Sequence, residues 1–259
     1  MFYKILSTIK FDTNFLPWAE WSIFKCDEKL SYDLHIRIDI QSCYRYGIEV
    51  LGEQPGKAVL KCQDCLLSVN EDWSKAKITI FNNSVQDMPI VLNALLMTHL
   101  SLHNALLLHA SVISQDNKGI LFLGPSGIGK TTQAELWKQC LDSEIINGDM
   151  VYVKKEESKF LGCGSPWHGS SPYCLNKQVP LSALIVLKQS KQNTIRRLTG
   201  FEMVSSVMSS VFWPTWYREG YEAACETFDT LLNTVPVYEL SCRPDEDAVK
   251  LTEETIFGK

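Results

Sequence analysis

The stretch Ile120-Leu121-Phe122-Leu123-Gly124-Pro125-Ser126-Gly127-Ile128-Gly129-Lys130-Thr131-Thr132 decides how this chain is read. Its first four residues form an apolar run of strand type, and apolar residues recur at helical spacing from Thr132 to Leu141. Between them stands G-x-x-x-x-G-K-[ST]. Glycines at these places let successive backbone N–H groups converge on an anion at the start of a helix, whose dipole favours negative charge. Lys130 adds a cation for the outer phosphate oxygens, Thr131 a hydroxyl for Mg²⁺, and Thr132 a contact on the α-phosphate side. Strand, loop and helix in succession are the context this pattern requires. Gly124, Ser126, Gly127, Ile128, Gly129, Lys130, Thr131 and Thr132 are therefore read as a nucleotide-binding segment, with ATP and Mg²⁺ as the expected ligands.

Working outward, Ala105 to Ile113 reads as a buried strand and Ser114-Gln115-Asp116-Asn117-Lys118-Gly119 as a hairpin turn, which lays that strand beside Ile120–Leu123. Downstream, Ile145–Val153 is strand-like, Gly162–Pro172 is a Gly/Ser/Pro-rich loop and Leu181–Leu187 is another apolar strand. Phe201–Phe212 and Tyr221–Leu232 read as amphipathic helices and Val235–Leu240 as a closing strand. Upstream, Asp87 before Met88-Pro89 has the form of a capping carboxylate with a proline in the first turn of a buried helix, Ile90–Leu102. From Phe2 to Phe81 the chain reads as short strands. Leu34, Ile36, Ile38 and Ile40 alternate with polar residues, as do Ala76, Ile78 and Ile80. This stretch has no phosphate loop, acid pair or nucleophile context and is expected to be an antiparallel β layer serving as scaffold. The expected class is mixed α/β, with a β-rich region over 1–86 packed on a nucleotide-binding domain over 87–259.

With 259 residues and 45% apolar content the chain can bury a substantial core. Its net charge of −5 and lack of a long Lys/Arg run argue against nucleic acid or an anionic membrane as a partner. No uncharged apolar run approaches the ~18 residues of a membrane span, and Met1-Phe2-Tyr3-Lys4-Ile5-Leu6 is too interrupted for a signal peptide, so a cytoplasmic protein is expected. The nine cysteines are scattered and read as reduced, buried thiols. Cys62 and Cys65 form a CxxC with no second pair to complete a zinc site.

His109-Ala110-Ser111-Val112-Ile113, followed by the hairpin and the loop at Gly124, resembles the HPr kinase/phosphorylase family, which shares a core with ATP-dependent phosphoenolpyruvate carboxykinase. In that family a histidine opens the strand before the loop, and His109 stands at the matching distance from Gly124. An aspartate pair ends the strand after the loop helix, and Asn147-Gly148-Asp149 occupies that place, with Gly148 where one aspartate would be. Gly164-Ser165-Pro166-Trp167-His168-Gly169 and Pro244-Asp245-Glu246 match further segments of the stand-alone HPr-kinase-like proteins. The resemblance runs from Leu106 to Val153, more weakly to the end of the chain, and omits the N-terminal β region. It implies a phosphoenolpyruvate carboxykinase-like phosphate-loop core in which Lys130, Asp149 and His109 are catalytic. Thr131 and Asp149 would hold Mg²⁺, and Asp149 would orient the acceptor hydroxyl with help from His109. The implied activity is transfer of the γ-phosphoryl group of ATP to a hydroxyl on a protein, peptide or metabolite.

Each of these residues also has a plainer reading. His109 could be a satisfied core histidine and Asp149 a solvated strand-end carboxylate, although a carboxylate among Ile145, Ile146, Val151 and Val153 needs a partner. Trp167 and His168, in a loop, are candidates to face the substrate or simply to pack. Arg196 or Arg197 could reach a phosphate, though a solvated basic pair is the commoner case. His99 and His103 have the i, i+4 spacing of a metal pair without the glutamate of a metallohydrolase. A nucleotide-binding sensor or scaffold that lacks turnover is the alternative, motivated by Gly148.

Overall fold

The computed structural model describes residues 1–5, 9–14, 16, 18–26, 33–41, 48–50, 58–62, 64–81 and 85–258. The chain divides into two compact units, 1–104 with 213–225, and 105–212 with 226–259. The fold is mixed α/β, with both parallel and antiparallel strand pairs.

The first unit contains strands β1 (Phe2–Ile5), β2 (Ile9–Thr13), β3 (Leu34–Gln41), β4 (Ile48–Val50), β5 (Ala58–Cys62), β6 (Cys65–Val69) and β7 (Lys75–Phe81), in the order β1-β2-β3-β7-β6-β5-β4. The expectation of an antiparallel layer is corrected in one respect, because β3 runs parallel to both β2 and β7. Alternation reports that one face is buried and carries no information about strand direction. Parallel neighbours need a long connection, and the chain between β2 and β3 supplies one that includes a short 3-10 helix, Ala19–Phe24. Cys62 and Cys65 face each other across the β5–β6 hairpin, and burial pushes both thiols up, Cys65 to about 12. They are inert packing thiols at neutral pH.

Helix α1 (Met88–Ser101) is apolar nearly all round, with Val91, Leu92, Leu95, Leu96 and Leu100 buried, as befits a helix enclosed by its unit. Pro89 sits in its first turn as read from sequence, but Asp87 does not cap it. The Asp87 carboxylate instead accepts a hydrogen bond from the Asp64 amide at 3.3 Å, joining the helix start to the β5–β6 turn. His99 is a core histidine, its Nδ1 3.1 Å from the Trp73 carbonyl oxygen and its ring 4.6 Å from that of His103. No group of three metal-ligating side chains occurs among the described residues. No helix among them is long and apolar enough to cross a membrane.

The second unit is organised by a long strand, β8 (Ala105–Gln115), which turns back through Asp116-Asn117 into β9 (Lys118–Leu123). Both turn residues have positive φ, 50° and 59°, the backbone of a two-residue hairpin that Asp and Asn tolerate best after glycine. There follow α2 (Lys130–Leu141), β10 (Glu144–Asn147), β11 (Met150–Glu156), β12 (Lys159–Cys163) and β13 (Gln178–Gln189). The unit then continues with β14 (Thr194–Arg197), α3 (Gly200–Met208) and β15 (Val211–Phe212). Helix α4 (Arg218–Thr234) leads into β16 (Val237–Cys242) and α5 (Glu246–Phe257). The single strand expected over Ile145–Val153 is two, broken at Gly148-Asp149, both paired with β8. β9 lies between β8, antiparallel, and β13, parallel, and β13 continues parallel to β16. Phe122, Trp137, Ile145, Ile185, Leu240 and Val249 meet in the core below α2 and α5. Strand β9 thus ends, buried on both sides, at the point where Gly124 opens the loop.

Candidate functional site

The glycine loop that opens at Gly124 joins β9 to α2. Gly127 and Gly129 have φ of 78° and 114°, a region where a side chain costs roughly 1–2 kcal/mol, so the loop's shape depends on glycine at both positions. Ser126 is exposed, Ile128 half-buried, with its amide donating to the Pro125 carbonyl at 3.3 Å, and Thr132 exposed in the first turn of α2. Lys130 is buried, and its Nζ donates to the carbonyl oxygens of Gly124 and Pro125 at 3.0 and 3.1 Å. Burial depresses its pKa and the Asp149 carboxylate partly restores it. The ammonium is therefore held over the loop by the loop's own backbone.

Opposite the loop lies the break between β10 and β11. Thr131 Oγ1 donates to the Gly148 carbonyl at 3.1 Å, tying the first turn of α2 to this break. His109 Nε2 lies 3.2 Å from Asp149 Oδ1. The histidine is placed by the β8 backbone, whose amides at His109 and Ala110 donate to the carbonyls of Ser210 and Asp149 at 2.8 and 2.9 Å. Side-chain exposures of 28% and 31% leave the pair open to a ligand rather than sealed in the core. Burial lowers the His109 pKa, nearby Lys130 lowers it further, and Asp149 acts against both, so the imidazole is neutral at pH 7. The structure brings His109, Lys130, Thr131 and Asp149 together at the head of α2.

Asn147, fully buried, is a determinant that the sequence reading passed over. Its Oδ1 accepts from the amides of Asp149 and Met150 at 2.9 and 3.0 Å, and its Nδ2 donates to the carbonyls of Ser165 and Trp167 at 3.0 and 3.2 Å. Ser165 Oγ lies 2.6 Å from the Met150 carbonyl oxygen and 2.8 Å from that of Trp167, two acceptors that share its single proton, and it accepts from the Trp167 amide at 3.2 Å. The loop after β12 is thereby fastened to the Asp149 turn. A polar residue directly after Ile145-Ile146 and before a glycine was the one available signal. The Trp167 indole packs edge-on against Tyr152, 6.5 Å between centroids, and His168 Nδ1 contacts the Ser171 carbonyl oxygen. Both side chains, candidates for facing a substrate, thus have contacts within the unit. Gly169 passes so close to Asp149 that a Cβ there would lie 2.5 Å from Oδ2.

At Gly148 an added Cβ would lie 1.9 Å from Ser171 Oγ and 2.7 Å from Ser171 Cβ. Ser171 occupies the space a second carboxylate stem would need. Arg196, weighed as a phosphate ligand, is bound by Glu202 through both terminal nitrogens and by Glu239 through Nε at 3.1 Å, and these contacts raise its pKa. Asp245, from the late Pro-Asp-Glu, caps α5 by accepting from the Ala248 amide at 3.1 Å.

The donors facing the loop are hard oxygens: one carboxylate at Asp149, the Thr131 hydroxyl and the Gly148 carbonyl. Mg²⁺ binds through one or two carboxylates plus phosphate oxygens and water, so this set fits Mg²⁺ carried with a nucleotide.

No family model matches the sequence, and no curated protein matches it. Among solved structures, the chain is distantly similar to that of the Hpr(Ser) kinase/phosphatase from Coxiella burnetii, at 11% identity and a TM-score of 0.36, over 57% of this chain and 95% of that one. A likeness at this level does not assign a family.

Proposed function

We propose that this protein binds ATP with Mg²⁺ at the Gly124–Thr131 loop and transfers the γ-phosphoryl group to a hydroxyl on a protein, peptide or small metabolite. One observation carries the reading: a buried lysine ammonium, a partly open carboxylate and a neutral imidazole converge at the head of the loop helix. Phosphoryl transfer asks for charge neutralisation and an oriented nucleophile rather than for covalent chemistry. Lys130 neutralises the outer oxygens; Thr131 with Asp149 would hold Mg²⁺, which would supply further neutralisation of the phosphates. As the acceptor oxygen bonds to the γ-phosphorus and ADP leaves, Asp149 Oδ2 accepts the hydroxyl's proton, while His109 holds Oδ1 and fixes the carboxylate's orientation. His109 is in this scheme a positioning residue.

A specific observation favours a second reading, binding without transfer. The place of a second carboxylate at position 148 is filled by Ser171, so one carboxylate must do both tasks. Incubating the protein and γ-labelled Mg-ATP with a cell lysate, beside Lys130→Ala and Asp149→Asn, separates the two. A labelled acceptor lost in both variants is the expected outcome. ATP binding without any labelled acceptor would hand the case to the sensor reading.

A further inference from the structure

Beside the loop lies a cavity of about 330 Å³, walled by loop residues 127–129, by Thr132 and Gln133 of α2, and by the ends of β13 (187–190) and β16 (242–244). Its rim is built in advance. Asp245 accepts from Asn193 Nδ2 at 2.7 Å and from Arg243 Nε at 2.8 Å, and the Arg243 amide donates to Asn193 Oδ1 at 2.8 Å, which fixes the Arg243-Pro244 lip. Both cations on the rim are already matched, Lys188 to Glu239 and Arg243 to Asp245. The cavity is thus poorly suited to a second anion. Ile128, Leu187 and Pro244 give it the apolar walls that a flat, neutral ring requires.

One polar group in the wall is unspent. Gln133 is 2% exposed, its Nε2 donates to Cys242 Sγ at 3.3 Å, and its Oε1 has no hydrogen-bond partner. A buried acceptor without a donor is costly, and a ligand that brings a donor recovers that cost. We infer that this cavity receives the base of the nucleotide and that Gln133 selects adenine over guanine. The inference rests on the nucleotide reading above and adds where the base sits and which residue selects it. One hydrogen of the amide nitrogen is engaged by Cys242, and the atom of this amide with no partner at all is the acceptor, Oε1. Adenine presents an amino donor at position 6, where guanine and hypoxanthine present a carbonyl, and two facing acceptors repel.

Calorimetric titration of the intact protein tests this with four Mg²⁺ complexes: ATP, purine riboside triphosphate (hydrogen at position 6), inosine triphosphate (carbonyl at position 6) and inorganic tripolyphosphate (no base). The expected order is ATP, then purine riboside triphosphate, then inosine triphosphate, with about tenfold or more between first and last, the scale of one hydrogen bond gained or opposed. Gln133→Leu is expected to bring the three nucleotides within about twofold of one another. The series on the unaltered protein decides the matter even if that variant fails to fold. Equal affinity for the three nucleotides, or a preference that survives Gln133→Leu, overturns the inference; if tripolyphosphate still binds, the loop reading stands. Failure of tripolyphosphate and every nucleotide to bind overturns both.

Discussion

At the scale of the residue, position 148 shows how a single missing Cβ organises a site. Gly148 and Ser171 share one volume, so Gly148→Ala forces either Ser171 or the strand break to move. Overpacking of this kind costs about 2 kcal/mol. Chemical denaturation is expected to show that loss for Gly148→Ala and recovery of most of it when Ser171→Gly is added; no recovery would mean that the clash lies elsewhere. His109 carries a second prediction. Burial and Lys130 hold its pKa below the ordinary imidazole value of about 6.5, so it stays neutral through neutral pH and protonates only in more acid solution. Any decline of the proposed phosphotransfer that reports protonation of His109 should therefore be centred below about 6.5, whereas one centred at or above 6.5 would contradict the environment described for His109. The loop residues, His109 and Asp149 were legible in sequence because a glycine pattern and a fixed spacing mark them. Asn147 and Ser171 were not, because what matters about them is a set of backbone groups distant along the chain.

At the scale of the element, the break between β10 and β11 is the joint on which the site turns. A continuous strand was read over Ile145–Val153 from its apolar content, and that content is indeed buried. The interruption at Gly148-Asp149 was invisible to that reading, since both halves pair with the same strand, β8, and so share one pattern. The direction of β3 was hidden for a related reason, alternation being blind to the sense of the neighbour. Asn147 holds the break in shape through two accepted and two donated bonds, all to backbone. Asn147→Ala leaves four backbone groups to find new partners, and a loss of about 3 kcal/mol or more is expected in equilibrium unfolding. Its effect on phosphoryl transfer should exceed its effect on ATP affinity, because the loop keeps its own hydrogen bonds while Asp149 loses its anchor. Equal losses in both would show that Asn147 serves the fold alone.

At the scale of the whole molecule, stability is expected to depend on acid through a residue far in sequence from the loop. His99, buried in the first unit with its Nε2 unpartnered, has its pKa lowered to about 4, first by burial and then by the charge of His103. The unfolded chain takes up a proton near pH 6.5 and the folded one does so only near 4, so the stabilisation is complete above the upper value and is lost between the two. The span amounts to about 3 kcal/mol. Urea unfolding followed at pH 7 and pH 4.5 should register most of it, and His99→Asn, which does not titrate, should flatten the difference. An unchanged pH dependence in that variant would place the acid sensitivity elsewhere. Residues 213–225 join the first unit after the chain has run through most of the second. No local pattern announces such a return.

Gln133 and Cys242 touch across 109 residues of intervening chain. While a ribosome is still adding that chain, the glycine loop has been made but has neither β13 nor β16 beside it, and closure of so long a segment is a late, slow event. Until β13 has been made, the outer edge of the apolar strand β9 has no partner. A ligand seated against this wall can hold the finished fold but cannot template it.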